Sequence, residues 1–478
     1  MKEQALKKDD FIVLKIEDQS DDGFGIGHDE KSGEAVFVKD TVMGDVAEVK
    51  IIKAKKNYAF GRMMKLKEAS PYRTEPVCEN AKVCGGCTLQ HMDYQAQLEM
   101  KQKKVLNCVK RLGGIEDAES RMEPICGMDE PYFYRNKMQF PVGRNKEGQC
   151  VLGFYAGKTH SIIPLTVCTI GHPVNRQIMA AVKRYVDQCG VSVYDKVSHR
   201  GILRHVLTRI GFTTGELMVC LVANGRKLPK SDVLIELLES AVNKFNHEAG
   251  QSLILKSVVC NINEEKTNRI LGFETVTIHG QDTIEDCIGN VRFKISAQSF
   301  FQVNPAQTVK LYQKVLDFAG LTGEENVWDM YCGIGTISLF LAQKAKKVFG
   351  VEIVPQAIDD ANQNAKLNGI ENAEFFVGKA EEVVPNIYKN NLPGANADVV
   401  VVDPPRKGCD EKLLDTLALM SPKRLVYVSC NPATLGRDLK VLTAKGFSVE
   451  KIAVFDQFPQ STHVETVVLM SKVHTVKG

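Results

Sequence analysis

NVWDMYCGIGTISLFLAQKA, residues 326–345, decides how the chain folds. An apolar run ends at Asp329-Met330, a turn carries Gly333 and Gly335, and an apolar helix-forming stretch follows at once. Strand, glycine turn and helix in that order open a ligand-binding unit, because the glycines let the backbone close on a ligand at the helix N-terminus. Working outward, KVFGVEIV (347–354) and AEFFVG (373–378) read as the next two strands, with a helix running through Asn362 to Asn368 between them. ADVVVVDPPRKG (397–408) and KRLVYVSCNP (423–432) add two buried strands, and PQSTHVETVVLMSK (459–472) a further one headed by Glu465. From Ala297 onward this alternation predicts a parallel, doubly wound sheet.

In such a sheet the ligand crevice lies outside the carboxyl ends of the strands, and four of these strands end in chemically active side chains. Asp329 closes the first, and Glu352, twenty-three residues on, is spaced to grip ribose hydroxyls. The turn carries an acid and no cation, and no third glycine stands near Ser338. A pyrophosphate would want both, so the pattern suits S-adenosylmethionine, whose zwitterionic end needs no phosphate cradle. Asp403 ends the third strand before two prolines and Arg406, which hold an irregular loop over the substrate position. Cys430 ends the next.

A thiol and a carboxylate at neighbouring strand ends, beside a methyl donor, suggest methylation of carbon 5 of a pyrimidine. Carbon 5 of uracil is too poor a nucleophile by itself. A thiolate adding to carbon 6 makes it electron-rich, and a base must then remove its proton. Cys430 is the candidate nucleophile and Glu465 the candidate base. The target ring must leave its stack to reach both, so base flipping is implied.

The N-terminal part has another character. FIVLKIED, GEAVFVKD, DVAEVKII and YAFGRMMKL, within residues 11–67, are short β-rich runs at the spacing of a small barrel. Lys50 to Lys67 holds seven basic residues and no acidic one, interleaved with Tyr58 and Phe60, as suits a nucleic-acid-facing surface. Next, Cys78, Cys84 and Cys87 stand in C-x5-C-x2-C spacing around Gly85-Gly86, which favours a metal or cluster site; zinc and iron–sulfur are not separated by spacing. Cys168, between Pro164 and Pro173, is the candidate fourth ligand. Asp93 to Leu112 reads as a helix stopped by Gly113-Gly114. Residues 115–295 read as mixed α/β, with the hairpin runs ILRHVLTRIG and ELMVCLVANG and a helix over Asp232 to Phe245. Arg135, Lys137, Arg200, Arg204 and Arg209 fall on strands there, as solvated cations or phosphate contacts.

Bulk properties bound the rest. At 478 residues with 44% hydrophobic and 25% charged residues, the chain is of ordinary globular composition and long enough for two to four domains. A net charge of +3 permits an anionic partner without demanding one. Fourteen cysteines in so long a chain do not form a disulfide scaffold. No membrane-length apolar run or signal-like N-terminus is visible, so a cytoplasmic protein is expected.

Taken together, the cysteine cluster with Cys168, SFFQVNPAQ, DMYCGIG, VVDPPRKG, VSCNPATLGRD and THVETV resemble the RNA uracil-5-methyltransferases, closest to the bacterial 23S rRNA enzymes. The resemblance runs from about residue 11 to the end. It implies a TRAM-type, OB-like RNA-binding barrel at 1–70, a central α/β iron–sulfur domain at 71–295, and a class I, Rossmann-like methyltransferase domain at 296–478. The helix 93–112 would pack on the last of these. By similarity Cys78, Cys84, Cys87 and Cys168 hold a four-iron, four-sulfur cluster, and Gln302, Tyr331, Glu352 and Asp403 contact S-adenosylmethionine. Cys430 would be the nucleophile and Glu465 the base, with RNA the partner of a monomer. Thr336 and Lys379 depart from the residues some relatives carry near the adenine. Alternatives are a tRNA uracil-5 enzyme, a cytosine-5 enzyme and a non-enzymatic RNA-binding iron–sulfur protein; the cytosine reading lacks the expected cysteine after a proline in DPPR.

Overall fold

Short alternating strands build the N-terminal part of the chain in the computed structural model, which describes residues 5–157, 159, 161–389 and 396–472. Residues 1–4 of the N-terminal stretch read for an export signal lie outside these. β1 (Phe11–Lys15), β2 (Asp18–Gln19), β3 (Gly25–His28), β4 (Ala35–Lys39), β5 (Val46–Ala54) and β6 (Tyr58–Glu68) pair in the order β1-β5-β6-β4-β3-β2. Alternate residues, among them Leu14, Ile16, Val36, Val38, Val49 and Ile51, fill the core, as the period of a strand requires. The two-residue β2 and the half-glycine β3 carry little strand signal and escaped the sequence reading.

Helix α1 (Tyr94–Arg111) starts where Asp93 caps it, the carboxylate accepting from the N–H groups of Gln95 and Ala96. After the short α2 (Ala118–Arg121) a second sheet forms from β7 (Lys137–Arg144), β8 (Cys150–Tyr155), β9 (Ile162–Pro164), β10 (Leu203–Ile210), β11 (Glu216–Ala223), β12 (Ile254–Ile262) and β13 (Glu274–Gly280). Its order is β13-β12-β11-β10-β7-β8-β9. Helices α3 (Asn175–Cys189) and α4 (Ser231–Ala249) pack together beside it.

Two of the cations expected to be solvated or phosphate-bound there are neither. Arg204 and Arg209 are buried on β10. Arg204 donates to the carbonyls of Asn263 and Glu265, and Arg209 to those of Ala297 and Ser299. They satisfy loop carbonyls that burial would otherwise strand.

The hairpin β14 (Ile284–Ile288) and β15 (Val291–Ile295) leads into the third sheet. That sheet contains β16 (Asn326–Asp329), β17 (Lys347–Glu352), β18 (Ala373–Val377), β19 (Val399–Val402), β20 (Arg424–Ser429), β21 (Phe447–Phe455) and β22 (Glu465–Lys472). Around it lie α5 (Pro305–Ala319), α6 (Thr336–Ala342), α7 (Pro355–Leu367), α8 (Ala380–Lys389), α9 (Glu411–Met420) and α10 (Pro432–Ala444). The order is β18-β17-β16-β19-β20-β22-β21, parallel through β20, with β22 inserted antiparallel between β20 and β21. β19 is four buried valines because helices cover both faces. The order of strands reverses between β16 and β19, and the crevice of such a sheet opens at that point.

α1 belongs to the outer layer of this third sheet although it lies over two hundred residues earlier. Val105 and Val109 share a core with Leu435 and Leu439 of α10. A Cβ at Gly436 would stand 2.6 Å from the Cys108 carbonyl oxygen, so only glycine lets the two helices meet. Below that contact Lys101 and Asp456 form an ion pair of 2.6 Å, both side chains fully buried, and the Tyr94 hydroxyl donates to the same carboxylate at 2.9 Å. Among the described residues no helix is long and apolar enough to cross a membrane.

Removing one partner of a buried pair strands the other charge. Lys101→Met should therefore lower stability by about 3–5 kcal/mol. The chain's one tryptophan, Trp328, is buried in β16 with its ring stacked on Phe349 at 4.9 Å, so its fluorescence during urea unfolding reports this sheet. A loss below about 1 kcal/mol, the size seen for exposed pairs, would show that the pair does not anchor α1.

Candidate active site and four-thiol cavity

Register brings the thiol and the carboxylate together. In the antiparallel β20–β22 ladder Ser429 pairs with Thr466. Cys430 follows the first and Glu465 precedes the second, so they face each other at the end of the ladder, where backbones lie about 5 Å apart. β19 pairs with β20 on the other side, Val402 opposite Tyr427, and Asp403 comes next. The loop after Asp403 is pinned to the Cys430 loop: Asn431 and Thr434 both donate to the Arg406 carbonyl, at 2.9 and 3.2 Å. Asn431 also caps α10, its side chain accepting from the Ala433 N–H.

Three acidic or potentially acidic groups in one half-buried place oppose each other's ionisation. Burial, then Glu465 and Asp403, push the Cys430 thiol up to about 11, while Arg406 pulls it down. Burial and Asp403 raise the Glu465 carboxyl well above its ordinary range, again against Arg406. Burial and Asp329 lift Asp403 to about 7. Arg406, named in the sequence reading only as part of the loop after Asp403, thus lowers the pKa of both the thiol and the Glu465 carboxyl. A cation three residues past the strand-end acid was the signal available for this effect.

At the neighbouring strand ends, Asp329 is fully buried, accepts from the Ser338 hydroxyl at 2.6 Å, and is lifted by burial to about 6. Glu352 accepts from the N–H groups of Gly333 and Val354 at 3.3 and 3.0 Å, which ties the second strand end to the glycine turn. Gly333 and Gly335 have φ of 53° and 84°, values that other residues rarely adopt. Tyr331 is half-buried in this turn, and burial followed by nearby Cys409 raises its hydroxyl pKa. Asp329, Tyr331, Glu352 and Asp403 thus line adjoining strand ends. Gln302 belongs to a separate loop before α5; its carbonyl accepts from Asn136 at 3.0 Å. Of the two departures, Thr336 shares a hydrogen bond with Tyr312 at 2.9 Å and Lys379 pairs with Glu382 at 3.1 Å.

The remaining predicted site residues meet elsewhere. Cys78, Cys84, Cys87 and Cys168 line one cavity of about 320 Å³, with Arg135 and Lys137 in its wall. All fourteen cysteines are free thiols. Gln90 binds the cavity wall together: it accepts from the Cys78 N–H at 3.0 Å, bonds the Cys87 thiol, and donates to Thr169 beside Cys168. The Cys84 sulfur accepts from the Gly86 N–H at 3.4 Å, and Cys168 from Ile170 and Gly171. Burial pushes the Cys87 thiol up to about 12, and burial with Arg209 and Arg135 brings the Lys137 ammonium down to about 7. The central α/β fold is present, but the iron–sulfur site expected in it is not formed: among the described residues no three His, Cys, Asp or Glu groups are drawn close enough to hold a metal ion.

On the barrel, Phe24, Phe37, Tyr58 and Phe60 form one connected ring cluster with centroids 5.7–6.2 Å apart. Of the seven cations between Lys50 and Lys67, Lys50 pairs with Asp9 and Lys67 with Glu48; the other five have no ion pair among the described residues.

The raised carboxyls set a pH dependence. Asp403 keeps its proton in the folded chain to about 7, against an ordinary 3.8, so the unfolded chain sheds protons first and stability falls as pH rises from about 4 to about 7. Asp403→Asn should flatten that fall and raise the urea midpoint of the ligand-free protein at pH 8; an unchanged slope would show that Asp403 titrates normally.

Comparison with known proteins agrees with this arrangement. Residues 238–473 match the family model described as tRNA (Uracil-5-)-methyltransferase, and residues 12–64 match the TRAM domain. A Bacillus cereus protein named an uncharacterized RNA methyltransferase is 49% identical over 468 residues, 98% of each chain. A Clostridium acetobutylicum protein, likewise named an uncharacterized RNA methyltransferase, is 46% identical with the same coverage. Among solved structures, the Pyrococcus abyssi tRNA (uracil-54, C5)-methyltransferase in complex with S-adenosyl-L-homocysteine superposes with a TM-score of 0.75 at 27% identity, covering 96% of this chain and all of that one. With a thiol and an acid facing each other at the strand ends and a TRAM barrel ahead of them, the chain belongs to the RNA uracil-5-methyltransferase family.

Proposed function

We propose that this protein methylates carbon 5 of uridine in 23S rRNA, using S-adenosylmethionine, as a monomer in the cytoplasm. The single observation that carries the reading is Cys430 facing Glu465 across the end of the β20–β22 ladder. The crevice residues fit the donor: an acid that ties the glycine turn to the second strand, two left-handed glycines and no basic phosphate cradle. S-adenosylmethionine bound there by Gln302, Tyr331, Glu352 and Asp403 supplies an electrophilic methyl group. The Cys430 thiolate adds to carbon 6 of the flipped uracil, which makes carbon 5 nucleophilic. Carbon 5 takes the sulfonium methyl, leaving the donor as a neutral thioether; Glu465 then takes the carbon 5 proton, the ring regains its double bond, and the carbon–sulfur bond breaks to return the thiolate. A carboxyl lifted above its ordinary range is a stronger base than a surface glutamate, which suits this step. Arg406 favours the thiolate form of Cys430.

The barrel's unpaired cations and its ring cluster support RNA binding by phosphate attraction and base stacking. The four-thiol cavity supports a four-iron, four-sulfur cluster held by Cys78, Cys84, Cys87 and Cys168. Two of its sulfurs already accept N–H bonds, which stabilise thiolates, and Arg135 and Lys137 offset negative charge. Thiols spread around a cavity suit a cubane better than one zinc ion, whose four ligands crowd a single point. The preference for 23S rRNA over tRNA rests on these cysteines. A second reading, tRNA as substrate, is favoured by the likeness to the Pyrococcus abyssi tRNA enzyme along the whole chain.

Cys430→Ala should abolish methyl transfer from labelled donor to bulk RNA while S-adenosylmethionine still binds; retained turnover would remove the nucleophile assignment. Glu465→Gln should accumulate a covalent protein–RNA adduct on denaturing gels. Mapping 5-methyluridine in 23S rRNA and tRNA from a strain lacking the protein separates the two substrates. Protein purified without oxygen should be brown and hold iron and sulfide in equal amounts, and stoichiometric zinc would overturn the cluster.

A further inference from the structure

Glu465 is the first residue of β22, and among the described residues its carboxyl has no hydrogen-bond partner. Its position is therefore set by backbone, by the ladder behind it and by the loop 456–464 before it. That loop is held from outside the third sheet. The Phe458 carbonyl accepts from Lys101 at 3.1 Å and that of Pro459 from the Tyr134 hydroxyl at 3.0 Å. The Gln460 carbonyl accepts from the N–H groups of both Thr88 and Leu89, at 2.9 and 3.1 Å. The Thr462 carbonyl accepts from Lys104 at 3.2 Å.

Gln460 is the keystone. It is buried, 1% exposed, with φ of 68°, a conformation a residue with a Cβ rarely adopts. Its side chain and N–H both bond the amide of Gln97, at 3.0 and 3.1 Å. The left-handed turn points the chain back toward β22, and the outside contacts hold it there. Thr88 and Leu89 directly follow Cys87, so one stretch of backbone serves both the four-thiol cavity and this loop.

We propose that Gln460, locked in its left-handed conformation by Gln97 and by the backbone that leaves Cys87, is a positioning residue for Glu465. The inference rests on the reading of Glu465 as the base. A loosened Gln460 lets the carboxyl drift while leaving Cys430 and the donor crevice untouched, so the methyl should still reach carbon 5 in the first turnover and the adduct should then persist. Misplacement of a catalytic group by about 1 Å slows a step by about a hundredfold.

The test compares full-length Gln460→Val, Gln460→Gly and Glu465→Gln proteins, with labelled S-adenosylmethionine and bulk RNA from a strain lacking the protein. Valine is excluded from positive φ, whereas glycine accepts it without cost. Gln460→Val should slow steady-state turnover by about a hundredfold, keep the single-turnover burst and the KM for S-adenosylmethionine, and accumulate adduct on denaturing gels. Gln460→Gly should release product faster than the valine variant. Should the valine protein fail to fold, Gln97→Ala, which removes the side-chain clamp, should show the same adduct and the same unchanged KM. Wild-type turnover in whichever of the two variants folds, or a burst lost together with donor binding, overturns the positioning role. Glu465→Gln separates the two ideas: normal turnover in that variant removes the base itself, whereas adduct there and none in the Gln460 variants removes only the positioning.

Discussion

The antiparallel insertion of β22 between β20 and β21 is the constraint on which the site depends. Parallel strands alone would end in Asp403 and Cys430, an acid and a thiol with no carboxylate across the ladder from the thiol. Bringing a strand in from the opposite direction sets its first residue, Glu465, against the last residues of β20. Register here is unforgiving: a slip of one residue would turn Glu465 to the other face and bring Val464 or Thr466 to the thiol.

This proximity is electrostatically uncomfortable, and the discomfort is put to use. Asp403 raises the pKa of both Cys430 and Glu465, Glu465 raises that of Cys430, and burial raises all three. At neutral pH the site therefore retains carboxyl protons that exposed carboxyls would release. Arg406 stands against that trend, held in place by a loop whose carbonyl is bonded to the loop of the thiol. A thiol raised in this way exposes little thiolate to stray electrophiles or oxidants, since the thiolate is the reactive form.

Much of this was legible in the residues. β16, β17, β19 and β20 were readable because buried parallel strands are short runs of Val, Ile and aromatic residues bounded by turns. The strand-end positions of Asp329, Glu352, Asp403, Cys430 and Glu465 followed from those boundaries, and the spacing of Cys78, Cys84 and Cys87 from simple counting. What escaped was non-local. No window of sequence says that Gln97 reaches Gln460, or that Arg204 and Arg209 serve carbonyls of distant loops rather than solvent or phosphate. Two strands of the barrel were missed for local reasons, β2 because it is two residues long and β3 because half of it is glycine, which carries little β signal. The four thiols line one cavity, an arrangement that could be seen only in three dimensions.

The packing of α1 against α10, through a glycine that leaves no room for a methyl group, bears on how such a chain can be divided. The third sheet looks like a transferable module, with its own strands, turn glycines and strand-end thiol. It is not one. Cut free at residue 296, it would surrender a helix from its outer layer, the counter-ion of Asp456 and every outside donor to the loop ahead of Glu465. Recombination that exchanged the N-terminal half for another RNA-binding half would have to carry residues 87–111 along with the sheet, so the border of inheritance cuts across the border that the eye would draw between domains.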